Sequence, residues 1–110
     1  MVLAVVGDGG LQYAVAELAT ARQHGVNAKL LVIDDGGYGI LREYQRDAYG
    51  ETTAVDLAQP DFEALAEAFG IPVRAGGPEA LPDHLRWALS LRGPAMVLVR
   101  ALLRAAQPTP

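Results

Sequence analysis

Two glycine-flanked acidic segments constrain this chain most: Gly7-Asp8-Gly9-Gly10 and Asp34-Asp35-Gly36-Gly37. Each follows a short apolar run, residues 2–6 and 30–33, and Asp35 stands 27 positions after Asp8. One helix-length segment fits between them. If the two runs are neighbouring parallel strands, both acidic segments leave the sheet at the same edge. Ligands bind at that carboxyl edge in open α/β sheets.

The rest of the chain continues this alternation. Residues 2–6 are apolar throughout, the pattern of a strand buried on both faces. From Leu11 the period changes, and Leu11, Val15, Leu18, Ala19 and Arg22 follow helical spacing. Gly25 suits the helix end, and residues 29–33 form a second, β-branched strand. Ile40, Leu41 and Tyr44 predict a second helix over 38–46, followed by a loop at 49–53. In a third helix, Gln59 caps, Pro60 takes the first position, Asp61 and Glu63 favour the positive N-terminus, and Gly70 ends it. Phe62, Leu65, Ala66 and Phe69 make its buried face. Residues 71–75 read as a short strand, and Pro72 places it at an edge or a strand start. A loose turn from Pro78 leads into a fourth helix starting near Leu81 or Pro82, with Leu81, Leu85, Ala88 and Leu89 inward. Pro94 opens the last strand, 95–99. The expected order β-α-β-α-α-β-α-β implies a three-layer α/β/α fold on a parallel sheet of about four strands. The domain is expected over residues 1–105, with 106–110 as a frayed tail. Met1 leads straight into a strand, so the 110 residues are expected to be a piece of something larger.

Composition excludes several function classes. A net charge of −4 and no basic stripe argue against nucleic acid as partner. With no Cys, thiol nucleophiles, thiolate metal sites and disulfides are out, which suits a reducing cytoplasm. No apolar run reaches membrane-spanning length. His24 and His84 stand far apart without further ligands, Trp87 and Tyr13 read as core or interface, and Ser90 has no neighbouring His or acid.

The two acidic segments have a chemistry of their own. Glycine N–H groups at a strand–helix junction make an anion site. Asp8 opposes a bare anion, and the conflict disappears if a cation sits between them. Mg²⁺ suits this, because it binds a few protein oxygens and completes its octahedron with phosphate. Asp35 supplies a second oxygen and the Gly37 carbonyl a third. Taken singly, Asp8 reads better as a helix cap and residues 34–37 as an ordinary turn. Taken together at equivalent strand ends, they read as a metal–phosphate site.

Gly7-Asp8-Gly9 with a pair ending at Asp35 resembles the thiamin-diphosphate signature, a Gly-Asp-Gly triplet with an Asn-Asn pair downstream. Residues 7–21, 32–45 and 60–70 resemble the C-terminal domain of the acetolactate synthase and 2-oxo-acid decarboxylase family. The resemblance covers nearly the whole chain. It implies part of a thiamin-diphosphate enzyme that decarboxylates or carboligates 2-oxo acids. Asp8, Asp35 and the Gly37 carbonyl would bind Mg²⁺. Gly7 would open the turn, the N–H groups of Gly9, Gly10, Gly39 and Ile40 would cradle the diphosphate, and Tyr38 would flank it. Arg42 reads as solvated helix surface, whereas the resemblance implies that its segment borders the active site, where Arg42 could meet a substrate carboxylate.

The chain departs from the pattern in three ways. Asp34-Asp35 stands where the signature has two Asn, adding negative charge. Leu41 stands where some decarboxylases place a catalytic Glu, so no catalytic residue is assigned. The strands that precede Gly-Asp-Gly in the family, and the pyrimidine-binding domain or subunit that brings the activating Glu, are not in this sequence. Residues 2–6 would then form an exposed edge. The isolated chain is expected to self-associate and to lack activity, and the intact enzyme to be a homo-oligomer with active sites between subunits. The rival readings are a non-catalytic remnant and a Mg²⁺-binding receiver module. The receiver needs an acceptor Asp after the third strand and a Lys after the last. This sequence offers Gly76-Gly77 and Arg100 there, and its only Lys is Lys29.

Overall fold

The computed structural model describes residues 1–35, 39–54, 58 and 60–101, with the backbone alone at 39, 40, 42 and 43. Four strands, β1 (Val2–Gly7), β2 (Ala28–Asp34), β3 (Val73–Gly76) and β4 (Ala95–Arg100), form one parallel sheet in the order β1-β2-β4-β3. The helices are α1 (Asp8–Ala14), α2 (Glu17–His24), α3 (Gly39–Tyr49), α4 (Phe62–Ala68) and α5 (Leu81–Ser90). A 3₁₀ turn, Pro78–Ala80, precedes α5, as the two prolines of that segment require.

Strand alternation divides the core in two. One set of side chains, among them Val32, Met96 and Leu98, packs with Leu11 and Leu18 of the first helical segment and with Phe62 and Ala66 of α4. The opposite set, Ala95, Val97 and Val99, packs with Ala88 of α5 and, half-buried, Leu81 and Trp87. β4 lies between two strands and is buried along Ala95 to Val99. Three layers result, as the alternation predicts.

β1 is an edge strand, and Val2, Leu3 and Val5 are 63%, 46% and 65% exposed. A continuous apolar run is therefore not buried on both faces here. The expected exposed edge is what the structure contains. The expected single first helix is two: Leu18 and Ala19 donate to the carbonyls of Val15 and Ala16, tightening the backbone to i→i−3 bonding. Leu11 and Leu18 remain on one face across this break, so the apolar stripe does not reveal it.

Two smaller expectations change. Asp61, not Gln59, caps α4: its Oδ1 accepts from the Ala64 N–H at 3.1 Å, and Pro60 precedes the cap. Gln59 itself lies outside the described residues. Leu89 is 41% exposed rather than inward, while Trp87, on the other side of α5, packs half-buried against the core. On α3, Leu41 and Tyr44 are exposed, so this part of the helical stripe is uncovered. The chain end at 102–110, which includes the expected tail, lies outside the described residues.

Candidate diphosphate site

The register Gly7↔Ile33 between β1 and β2 sets the geometry. Neighbouring strands lie about 4.8 Å apart. Asp8 and the Asp34-Asp35 pair therefore leave the sheet side by side, at its carboxyl edge. Asp34 closes β2: it pairs in register with Arg100, and its carbonyl accepts from the Ala101 N–H at 3.2 Å. Asp35 follows the strand and is half-buried.

β1 passes into α1 without an intervening turn. Gly7 is the N-cap and Asp8 already the first helical residue, so Gly9 and Gly10 belong to the first turn of α1. The helix thus starts three residues earlier than the apolar period suggests, since neither Asp8 nor the glycines contribute to that period. Gly7 has φ −79° and ψ 161°, an extended backbone that any residue adopts, and a Cβ there would enter open space. Glycine at this position keeps room over the sheet edge rather than permitting a turn. Gly10 has a packing reason: a Cβ would sit 3.2 Å from the Val6 Cγ2, so its absence lets α1 lie close on β1.

Asp8 decides what the site can do. It is 1% exposed, and neither carboxyl oxygen has a hydrogen-bond partner among the described residues. α1 has no side-chain cap, so the reading of Asp8 as an ordinary helix cap fails. Burying a carboxyl group without donors is costly, and native folds seldom leave it so without a ligand. A divalent cation bound there would supply what is missing. Among the described residues no three His, Asp or Glu side chains cluster as a metal site. A cation here would hold at most a pair of carboxylates and take its other ligands from carbonyl, phosphate or water oxygens, which is the habit of Mg²⁺.

The other predicted residues are only partly placed. The backbone of Gly39 and Ile40 begins α3. Gly37 and Tyr38 lie outside the described residues, as does the side chain of Arg42. His84 is half-buried beside the end of β3, where a Cβ on Gly76 would lie 3.3 Å from its Cε1. Sequence reasoning also missed Lys29. This side chain is 1% exposed and donates to the Leu91 carbonyl at 2.8 Å and to the Gly93 carbonyl. Its position between the apolar residues of a strand was the available signal. Among the described residues no helix is long and apolar enough to cross a membrane.

Comparison with known proteins agrees with this geometry. Residues 1–99 match the family model described as "Thiamine pyrophosphate enzyme, C-terminal TPP binding domain". The acetolactate synthase large subunit of Lactococcus lactis is 35% identical over 88 residues, 77% of this chain and 15% of that protein. The acetolactate synthase of Bacillus subtilis is 33% identical over 97 residues, 87% of this chain and 17% of the relative. Among solved structures, the thiamine diphosphate-dependent 4-hydroxybenzoylformate decarboxylase of Rhodococcus jostii superposes with a TM-score of 0.84 at 28% identity. That match covers 93% of this chain and 20% of the decarboxylase. The chain thus spans less than a fifth of the curated relatives named here.

Proposed function

Because the chain belongs to the family of C-terminal thiamin-diphosphate-binding domains of acetolactate synthase- and decarboxylase-type enzymes, we propose that it holds the Mg²⁺–diphosphate end of that cofactor. The observation that carries this reading is the Asp8 carboxyl group, buried with both oxygens unpartnered at the carboxyl edge of β1. Asp8 and Asp35 would hold the cation with the Gly37 carbonyl, and the N–H groups of Gly9, Gly10, Gly39 and Ile40 would receive phosphate oxygens. When bound, thiamin diphosphate stabilises the carbanion formed as a 2-oxo acid is decarboxylated or carboligated. The residues of this chain anchor and orient it.

The proposal extends to what surrounds the site. The exposed apolar residues of β1 and the exposed Leu41 and Tyr44 of α3 lie on elements that flank the acidic edge. They suit burial against further parts of an enzyme, including a pyrimidine-binding domain and a second subunit. No residue here is assigned to proton transfer, and Leu41 carries no acid. The isolated chain therefore binds cofactor without turning over a 2-oxo acid. The absence of cysteine suits a cytoplasmic enzyme. The receiver reading has no support at the sheet edge, where β3 ends at Gly76 and is followed by Gly77 rather than an acceptor carboxylate.

Calorimetric titration of the chain with thiamin diphosphate, with and without Mg²⁺, tests the proposal. Saturable binding that requires Mg²⁺ is expected. No binding at millimolar cofactor in the presence of Mg²⁺ would reject it, as would sustained decarboxylation by the pure chain for the claim of inactivity.

A further inference from the structure

Resting on the reading of Asp8 as a cation ligand, we propose that Asp8 and Asp35 form a two-carboxylate site that takes up a divalent cation before the diphosphate arrives, with Asp35 setting the cation affinity. The Asp8 carboxyl group is 1% exposed, and neither oxygen has a donor among the described residues. The fold therefore presents a buried ligand whose demand for positive charge exists whether or not a phosphate is near. The Gly7↔Ile33 register brings the residue after β2 to the same edge. Asp34 ends β2 in register with Arg100 of β4, and its carbonyl is engaged by Ala101. Asp35 is the first residue beyond the strand and is half-buried.

Electrostatics then fix the order of events. Two carboxylates at one sheet edge repel an incoming diphosphate and attract a divalent cation. Once the cation is bound, its charge balances the pair, and the phosphate oxygens can complete its coordination. Coupling of this kind is reciprocal: the cation raises diphosphate affinity by the factor by which diphosphate raises cation affinity. Exchanging Asp35 for Asn keeps an oxygen and removes one charge. Cation affinity follows the number of charged ligands. The exchange weakens binding of the cation alone and relieves repulsion on the diphosphate.

Mn²⁺ binding to the 110-residue chain without cofactor, followed by electron paramagnetic resonance, reads this directly. The parent binds one Mn²⁺. Asp35→Asn binds it roughly tenfold more weakly or worse, Asp34→Asn binds it as the parent does, and Asp8→Asn does not bind it. At saturating Mg²⁺, Asp35→Asn binds thiamin diphosphate at least as tightly as the parent. Circular dichroism checks that each variant is folded, and Asp35→Ser replaces Asp35→Asn if that variant is not. Absence of Mn²⁺ binding to the parent, equal affinity in Asp35→Asn, or a loss in Asp34→Asn of the size expected for Asp35→Asn overturns the inference. Failure of thiamin diphosphate to bind at any cation concentration, with the Mn²⁺ results as expected, supports the cation site and rejects the cofactor reading instead.

Discussion

Lys29 and Asp8 are the two charged side chains buried among the described residues, each 1% exposed, and they sit at opposite ends of the sheet. Lys29, near the start of β2, donates to the carbonyls of Leu91 and Gly93 and so ties the loop before β4 to the strand. Asp8, just past the end of β1, has no hydrogen-bond partner for either oxygen among the described residues. Equal burial thus hides opposite states. A buried charge whose partners are built into the fold stabilises it. A buried charge without them leaves the fold to bear the desolvation cost unless a ligand supplies the partners.

The largest expected effect is at the unpaired end. Asp8→Asn should weaken Mg²⁺-dependent binding of thiamin diphosphate about a hundredfold or more, roughly 2.7 kcal/mol, as read by calorimetry. Unchanged affinity would show that Asp8 holds no cation and would break the comparison. At the paired end, Lys29→Met strands two carbonyl acceptors and should cost about 2 kcal/mol of folding free energy, measured by urea unfolding. Its cofactor affinity should remain within about twofold, since the site lies at the far edge. Lost affinity with unchanged stability would exchange the roles of the two residues.

Gly93 sharpens the same point. Its φ of +81° is left-handed, and its carbonyl is one of the two that hold Lys29. Gly93→Ala should cost about 1 kcal/mol by the same measurement, with less added cost in a Lys29→Met background, because the strained turn then has less to position. Asp61 gives the smallest test. It is a carboxylate with an ordinary job, accepting from the Ala64 N–H at the start of α4. Asp61→Ala should cost about 1 kcal/mol or less and leave binding untouched. An effect on cofactor affinity would mean that capping carboxylates and site carboxylates cannot be told apart by their partners.

The sequence carried much of this. Apolar runs alternating with helical periods predicted the three layers and the parallel sheet, and the shared edge followed from two strands ending in acidic residues. What it missed has physical reasons. The break between α1 and α2 is silent because Leu11 and Leu18 keep to one face through it. The apolar run of β1 by itself reads as a strand buried on both faces, because Val and Leu read alike at an edge or a centre; its exposed edge was legible only through the family resemblance. Lys29 was legible only as the start of a strand, because its carbonyl partners lie more than 60 residues away. For Asp8 the sequence left two readings, cap or ligand. The missing partners of its carboxyl oxygens favour ligand, a fact no spacing contains.

The central claim is that the fold holds Asp8 buried for a cation it does not itself supply. The melting temperatures of the parent chain and Asp8→Asn, each alone and with Mg²⁺ plus thiamin diphosphate, test it most directly. An amide costs less to bury than a carboxylate, so Asp8→Asn should melt above the parent when both are unliganded. Ligands at about a hundred times the dissociation constant should stabilise the parent by about 2.7 kcal/mol and leave Asp8→Asn unmoved. An unliganded Asp8→Asn that melts below the parent, or equal stabilisation of both by the ligands, would contradict the account.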